Sequence, residues 1–403
     1  MGIRVSVIRC EVSGKMFTRI PTKRRFLLAL TVLFWGRLGA QVFSTDDLKI
    51  HGFLTQAYAF SDNYQIFGIP KGGTSDYRSL ALQFHYAGTG RISATLQLAH
   101  FRYGEHPSEV YRDPVEIDWA FMQYRINDNM YLRFGKVLMP VGIYNEVRDV
   151  GVVLSFYRPP YTPYSEGQYC SETFNGALFY YAANLGSLGT FSIDLFGGGW
   201  NWLEWYQIQN PIDGSLSVIT GRPNLNNGVG LQVWFSPPAE GLRLGYSFSQ
   251  ADIAGGLAYG SEQNLFGVGP QVQAAHALSF DGDFERWILK GEYARMAYRV
   301  FRMNAYGYYL QGGYAVLPDS WLFLQYQEMK YSDLPNPATG DLVSTYFLKD
   351  FASGLKWQAN ANLALKAELH WSYSKEAQGI YVDLFDDELP FTRYFILSLS
   401  NSF

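Results

Sequence analysis

The sequence predicts an all-β fold: a transmembrane antiparallel β-barrel of about sixteen strands, with an inward-folded constriction loop after the fifth. Three observations lead there. Segments of ten or so residues in which apolar and polar side chains alternate recur from residue 48 to the end of the chain. The connections between them alternate short and long. Aromatics make up 17% of the chain, with 30 Tyr and 29 Phe, and apolar residues 48%, yet no segment after residue 40 approaches the ~18 consecutive apolar residues of a spanning helix. Hydrocarbon offers no hydrogen-bond partners, and each unpaired backbone group there costs several kcal/mol, so strands cross a bilayer only in a sheet without edges. Such barrels carry aromatic girdles at both interfaces, which accounts for the tyrosines. A secreted sandwich or β-helix would also alternate, but its polar faces would carry more charge than the 17% of charged residues here.

The chain divides into a leader and a barrel domain. Lys23-Arg24-Arg25 is a basic segment, Phe26 to Trp35 a short apolar run, and Leu38-Gly39-Ala40 a small-residue end. This is the pattern of a secretory signal peptide over residues 1–40, cleaved after Ala40; an apolar run of about ten residues is half of what a spanning helix needs. Met16 is an alternative start, with residues 1–15 as an upstream extension. Of the 32 basic and 36 acidic side chains, the leader holds eight and one, which leaves 24 and 35 in residues 41–403 and a formal charge of −11. That charge argues against a nucleic-acid partner. Cys170 is the one cysteine after the leader, so no intrachain disulfide framework and no lipoprotein anchor are expected.

The sixteen predicted strands run over residues 48–60, 77–87, 91–102, 115–126, 130–137, 174–184, 189–200, 228–236, 241–252, 272–281, 286–298, 306–316, 320–331, 346–358, 362–374 and 392–403. In the second, Leu80, Leu82, Phe84 and Tyr86 alternate with Ser79, Ala81, Gln83 and His85. In the fifteenth, Leu363, Leu365, Ala367, Leu369, Trp371 and Tyr373 alternate with Ala364, Lys366, Glu368, His370 and Ser372. Period two sends each set to one face. About eleven residues at ~3.3 Å, tilted by ~40–45°, cover the ~25 Å apolar band of such barrels. Short connections such as Asn127-Asp-Asn129 and Leu317-Pro-Asp319 read as periplasmic turns, and long ones near 61–76, 103–114, 138–173, 201–227, 253–271, 332–345 and 375–391 as outer loops; one at 299–305 is shorter. The sixteen prolines after the leader all fall in connections, where no ladder hydrogen bond is lost. In the last strand Phe395, Leu397, Leu399 and Phe403 share a face. An aromatic terminus on an alternating last strand resembles the insertion signal of bacterial outer-membrane proteins. It implies the barrel-insertion machinery as a partner through Phe403, although Asn401 departs from the usual apolar residue.

The connection after the fifth strand is the longest, breaking at Pro140 and running about 35 residues without a period, a length that is usually functional or disordered. It carries Tyr144, Glu146, Arg148, Asp149, Arg158 and Glu166. Folded into the lumen, Arg148 and Arg158 would face Glu146, Asp149 and Glu166 across the opening and set a transverse field; alternatively Glu146, Arg148 and Asp149 clamp the loop to the wall. Tyr144, Phe156, Tyr157, Tyr161 and Tyr164 either line a path for solutes or pack the loop onto the wall. On the wall itself, Glu116, Asp118, Arg133, Asp194 and Arg243 are expected to point inward by strand parity. Lys290, Glu292, Lys356, Lys366 and Glu368 follow the same rule, since a lipid-facing Arg or Lys costs about 2–4 kcal/mol at the midplane. Lys136 breaks parity with Leu132 and Phe134, which calls for a bulge at Gly135 or a position at the rim.

Leu132-Arg-Phe-Gly-Lys136 followed by Pro140-Val-Gly-Ile-Tyr-Asn-Glu-Val-Arg-Asp149 resembles bacterial porins of the phosphate-selective and related superfamily, in which a strand ending in Gly-Lys leads into a long loop of this pattern. The resemblance implies a sixteen-stranded barrel, commonly a homotrimer, with the third long loop folded inward. Phosphate-binding members carry a basic ladder and an arginine-rich loop; two arginines against three acids depart from that. The expected function is passive diffusion of small hydrophilic solutes or ions through a water-filled pore in the bacterial outer membrane, with outer-membrane lipid as surroundings. The alternatives are a structural or adhesin barrel and a barrel hydrolase. No serine is locally paired with a placed histidine, and His51, His85 and His370 read as lumen residues. The six histidines do not cluster at metal-ligand spacing and no Gly-rich phosphate motif follows a strand, so no catalytic residue, metal or cofactor is expected.

Overall fold

The alternating segments become sixteen strands of one closed sheet. The structure, a computed structural model, describes residues 47–403 apart from 89, 107–113, 165–170, 202–203, 210–212, 255–270, 299–303, 337–338, 381, 384 and 386. The leader, Glu166 and Cys170 therefore lie outside the described residues. In chain order the wall consists of β1 (Leu48–Ser61), β2 (Thr74–Ala87), β3 (Ile92–Tyr103), β4 (Val115–Asn127), β5 (Met130–Leu138), β6 (Thr173–Asn184), β7 (Thr190–Asn201) and β8 (Asn224–Ser236). It continues with β9 (Leu242–Ala254), β10 (Gln271–Phe284), β11 (Trp287–Tyr298), β12 (Asn304–Leu317), β13 (Ser320–Pro335), β14 (Leu342–Asn360), β15 (Leu363–Ser374) and β16 (Phe391–Ser402). Each pairs antiparallel with its chain neighbours, and β1 closes on β16 in a register running from Phe53↔Ser402 to Ser61↔Tyr394.

Every predicted segment lies on one of these strands. Three differences have local causes. β13 and β14 extend past the expected ends, so the loop placed at 332–345 shrinks to 336–341 and Pro335 becomes the last residue of β13. β8 starts at Asn224, with a register shift between Asn226 and Val229. The connection after β7 contains a hairpin of its own, Glu204–Gln209 paired with Leu216–Gly221; the Asp213-Gly214 pair between two β-prone runs was its signal.

The two faces of the wall invert the usual rule of burial. Leu54, Leu244, Leu278, Leu310, Leu355 and Leu397 are exposed, whereas Thr55, Gln232, Glu292, Gln311, Lys366 and Ser398 are buried. An exposed apolar belt around the whole barrel is a surface made for lipid, since a water-soluble monomer rarely shows an apolar patch above a few hundred Å². Large aromatics mark its turn end, where Trp287 and Tyr314 lie with ring centroids 4.5 Å apart. A sixteen-stranded barrel is roughly 30 Å across, too wide for wall side chains to fill. The connections do part of the filling: Gln65–Ile66 after β1 pairs with Ala377–Gln378 after β15, and the segment from Met139 onward lies against the polar face.

Candidate functional site

The segment between β5 and β6 is closed at its neck. The Met139 N–H donates to the Glu172 carbonyl at 2.9 Å, and the Asn145 side-chain amide donates to the carbonyls of Met139 (2.7 Å) and Glu172 (3.1 Å). An irregular segment carries backbone groups that need partners, and the polar face of the wall supplies them. On β8 and β9, Gln232 donates to the Gly142 carbonyl at 3.0 Å and Ser247 Oγ accepts from Gly142 N–H at 3.1 Å. On β11, the buried Glu292 accepts from Ile143 N–H (3.0 Å), from the Tyr164 hydroxyl, and from Ser279 (2.5 Å) and Tyr309 (2.8 Å) of the neighbouring strands. On β12, Gln311 accepts from the hydroxyls of Tyr144 (2.7 Å) and Ser155 (3.0 Å). Further round, Lys356 donates to the Val152 carbonyl at 2.6 Å. Lys366 donates to those of Gly151 (2.9 Å) and Phe156 (2.8 Å). Glu368 accepts from Tyr157 N–H at 3.0 Å and Gln327 from Tyr161 N–H at 2.6 Å. Gly142, the glycine of the Pro-x-Gly motif, sits at φ +60°, and a Cβ there would run into the Tyr164 hydroxyl and the Glu292 carboxylate. The segment thus covers the polar face from β8 to β15.

The aromatics of the segment pack. Tyr144, Phe156, Tyr157 and Tyr164 are buried, and Phe156 lies against Phe323 and His370. Its two arginines, expected to act together, lie in different places. Arg158 is half-buried with its guanidinium 3.7 Å above the Phe67 ring. Burial alone would weaken its charge, but Tyr77, the hydrogen-bonded Tyr394 and Glu368 keep it firmly protonated. Arg148 donates to Asn145 Oδ1 at 3.3 Å, beside Asp149, and Glu146 is exposed in the turn Asn145–Val147.

The remaining wall charges hold one another. Asp281 accepts from Arg243 at 2.6 Å and pairs with Lys290 at 3.0 Å. Arg243 lies 4.3 Å from the Trp234 ring and Lys290 5.2 Å from that of Tyr144. Arg133 donates to Gln123 at 2.9 Å between the rings of Phe121 and Tyr131, within electrostatic reach of Asp194, which also feels Glu146. Gly135 makes no bulge: at φ +133° it and Lys136 stay in register with β4 and β6, and the nearby register shift lies between β3 and β4, at Gln97 and Leu98. The Lys136 ammonium reaches the Ile117 carbonyl at 2.6 Å.

The segment also touches β1–β3, through Val150 and Tyr157, and a space remains between it and the wall of β3–β7. A cavity of about 400 Å³ lies there, lined by Glu116, Asp118, Lys136, Arg148, Asp149 and Glu172, with Arg222, Phe101, Tyr103 and Trp200 around them. Asp118 accepts from Gln97 at 2.8 Å, and oxygens of Asp118, Asp149 and Glu172 lie within 4.8 Å of one another. With the three cations Lys136, Arg148 and Arg222 on the same walls, this is a polar opening of mixed charge. Among the described residues, that carboxylate trio is the grouping able to offer three metal ligands, and Lys136 and Arg148 already bring positive charge to it. Glu172, Arg222, Gln232, Gln311 and Gln327 were not expected at the site. Strand parity would have turned the three glutamines inward, and Glu172 sits directly before β6.

No family model and no curated protein matches the chain. Solved structures do. The outer-membrane channel DcaP of Acinetobacter baumannii is 12% identical, over 91% of this chain and 100% of its own, with a TM-score of 0.56. OmpF of Salmonella typhi, in complex with daunomycin, is 13% identical over 90% and 99%, with a TM-score of 0.53. OmpT of Vibrio cholerae, an outer membrane protein seen in a trimer form, is 11% identical over 88% and 99%, with a TM-score of 0.53. At these identities the likeness is one of fold: the chain folds as a closed sixteen-stranded antiparallel barrel, as outer-membrane channel proteins do.

Proposed function

We propose that the protein is a porin of the bacterial outer membrane, a water-filled path for passive diffusion of small hydrophilic solutes or ions. The observation that carries this is the polar cavity left between the segment after β5 and the wall of β3–β7, inside a barrel whose outer face is apolar. The segment is the constriction. Lys136 and Arg148 against Asp118, Asp149, Glu116 and Glu172 set the local field, in a low-dielectric wall that strengthens it. Arg133 and Asp194 line the path further along β5 and β7. Lys356, Lys366, Glu292 and Glu368 act as anchors of the constriction. The Leu132–Asp149 motif supports kinship with the phosphate-selective and related porins, while the mixed charge of the opening favours small polar or zwitterionic solutes over phosphate. Residues 1–40 serve as the export signal, Phe403 as the contact for barrel insertion, and the assembly is a homotrimer. DcaP, named as an outer-membrane channel, and the trimer form of OmpT support both points by analogy of fold.

The test is recording from purified, folded protein in planar bilayers. Stepwise conductance, a reversal potential in a salt gradient and block by a permeating solute are expected. A folded barrel that never conducts would make it a structural or adhesin barrel. Turnover of a lipid or peptide substrate by the same preparation would make it an enzyme.

A further inference from the structure

The outer face of β11–β14 differs from the rest of the apolar belt. Its register gives successive rows across the strands. At the turn end Trp287, Tyr314, Leu322 and Leu355 stand side by side; above them come Leu289, Gly312, Leu324 and Ser353, then Gly291, Leu310, Tyr326 and Phe351. Gly291 and Gly312 add no side chain between the leucines, and Leu310 leans over Gly291. The result is an apolar groove of about 910 Å³ walled by Phe280, Leu289, Leu310, Leu324, Tyr326 and Phe351. The next rows toward the long-connection end are of a different kind: Tyr293, Tyr308, Glu328 and Lys349, then Arg295, Tyr306, Lys330 and Tyr346. The ammonium groups of Lys349 and Lys330 lie 3.3 Å and 5.1 Å from the centre of one ring, that of Tyr346. Arg295 lies 6.0 Å from the Tyr306 ring and is held there by Asn304 at 2.7 Å. Glu328 accepts from the Tyr326 hydroxyl at 3.0 Å and is the one acid in these rows. Three cations against one acid stand one or two rows above the groove, at ~6.6 Å per row.

We propose that this face binds a lipid with a phosphate headgroup, its acyl chain in the groove and its phosphate on Lys330, Lys349 and Arg295. Two features, the groove and the three cations beyond it, point to the same ligand. The groove takes a flexible apolar chain at the depth of the hydrocarbon, and cations held on aromatic faces take an anion where the headgroups lie. Neither serves the pore, because both lie on the side of the wall away from it. The bound chain would fill a dent that glycines open in the belt, and the headgroup would fix the barrel's height in the leaflet.

The experiment uses the whole barrel in neutral detergent, titrated with dipalmitoylphosphatidylglycerol, dipalmitoylphosphatidylcholine or inorganic phosphate and read by native mass spectrometry. The anionic lipid should be retained, the zwitterionic lipid retained at least tenfold less, and phosphate alone not at all. Replacing Arg295, Lys330 and Lys349 by Gln should weaken retention roughly fivefold per cation removed, while Gly291→Leu with Gly312→Leu should weaken it without touching the charges. Heat-modifiable migration in gels confirms that each variant is folded. Equal retention of the two lipids, or a charge variant that binds as the parent does, overturns the proposal. So does a spontaneous disulfide between copies carrying Leu310→Cys on a Cys170→Ser background, which would place a second barrel on this face.

Discussion

A lysine buried among carbonyls and an arginine in a polar cavity carry the same charge to different ends. Lys366 is 1% exposed and donates to two backbone carbonyls of the interior segment. A buried acceptor left without a donor costs about 1–3 kcal/mol, so Lys366→Met removes a restraint and adds no clash. Frequent brief openings in single-channel records and easier protease nicking within 150–164 are expected; a quiet, nick-resistant variant would show that the segment is held elsewhere. Arg148 and Arg158 separate charge from packing. Arg148 lines the cavity, and its neutralisation to Gln should move the reversal potential toward cations. Arg158 is spent on the Phe67 face and Tyr394, so Arg158→Gln should leave the reversal potential in place and lower the denaturation midpoint, a cation–π contact being worth about 0.5–2 kcal/mol. An equal shift from both would return Arg158 to the filter. Parity alone already turned Lys356, Lys366, Glu292 and Glu368 inward. It could not reveal that each bonds a segment 149 to 215 positions away, because such partners leave no local pattern.

At the scale of the element, the strands were legible and the segment between β5 and β6 was not, for a physical reason. A strand between lipid and water repeats its environment every two residues, and Leu80 to Tyr86 or Leu363 to Tyr373 write that repeat directly. The interior segment meets a new environment at every residue, so only its punctuation could be read: Pro140 marks where the ladder ends, and Gly142 where the chain must turn. The structure gives that glycine two reasons, a φ of +60° and a site filled by the Tyr164 hydroxyl and the Glu292 carboxylate. A β-branched side chain at positive φ costs about 1–2 kcal/mol in backbone alone, and Gly142→Val must also push apart the Ile143–Glu292–Tyr164 knot. The expectation is a barrel that still assembles, since Gly142 takes no part in the ladder, but with higher and noisier conductance. Wild-type conductance from Gly142→Val would mean that the knot does not set the opening.

The whole molecule is built so that the wall stands without its filling. Closure rests on the backbone ladder, completed where the Phe403 N–H and carbonyl pair with Gly52 at 2.9 and 3.0 Å. The segment 139–164 adds no strand to it. The wall groups that hydrogen-bond the segment are polar, among them Ser247, Gln311, Gln327, Lys356, Lys366 and Glu368, while Phe53, Tyr77, Tyr309 and Phe323 add apolar contacts to it. If the segment is removed they meet water, and a polar side chain that exchanges a protein partner for water loses only about 0.5–1.5 kcal/mol per bond. In an ordinary globular core nearly all of the surface so exposed would be apolar, and the domain would unfold. Deletion of residues 150–168 should therefore give a barrel that inserts and stays heat-modifiable. A bare sixteen-stranded lumen is an aqueous channel in its own right, so conductance should rise at least about threefold and larger solutes should pass. Because Arg148 remains on the shortened connection while its packing is lost, ion preference should weaken and not invert. An unchanged conductance in the folded deletion variant would show that the narrowest point lies outside the segment, in the connections after β1 and β15 that pair over the lumen, and the constriction assigned to the segment would fall.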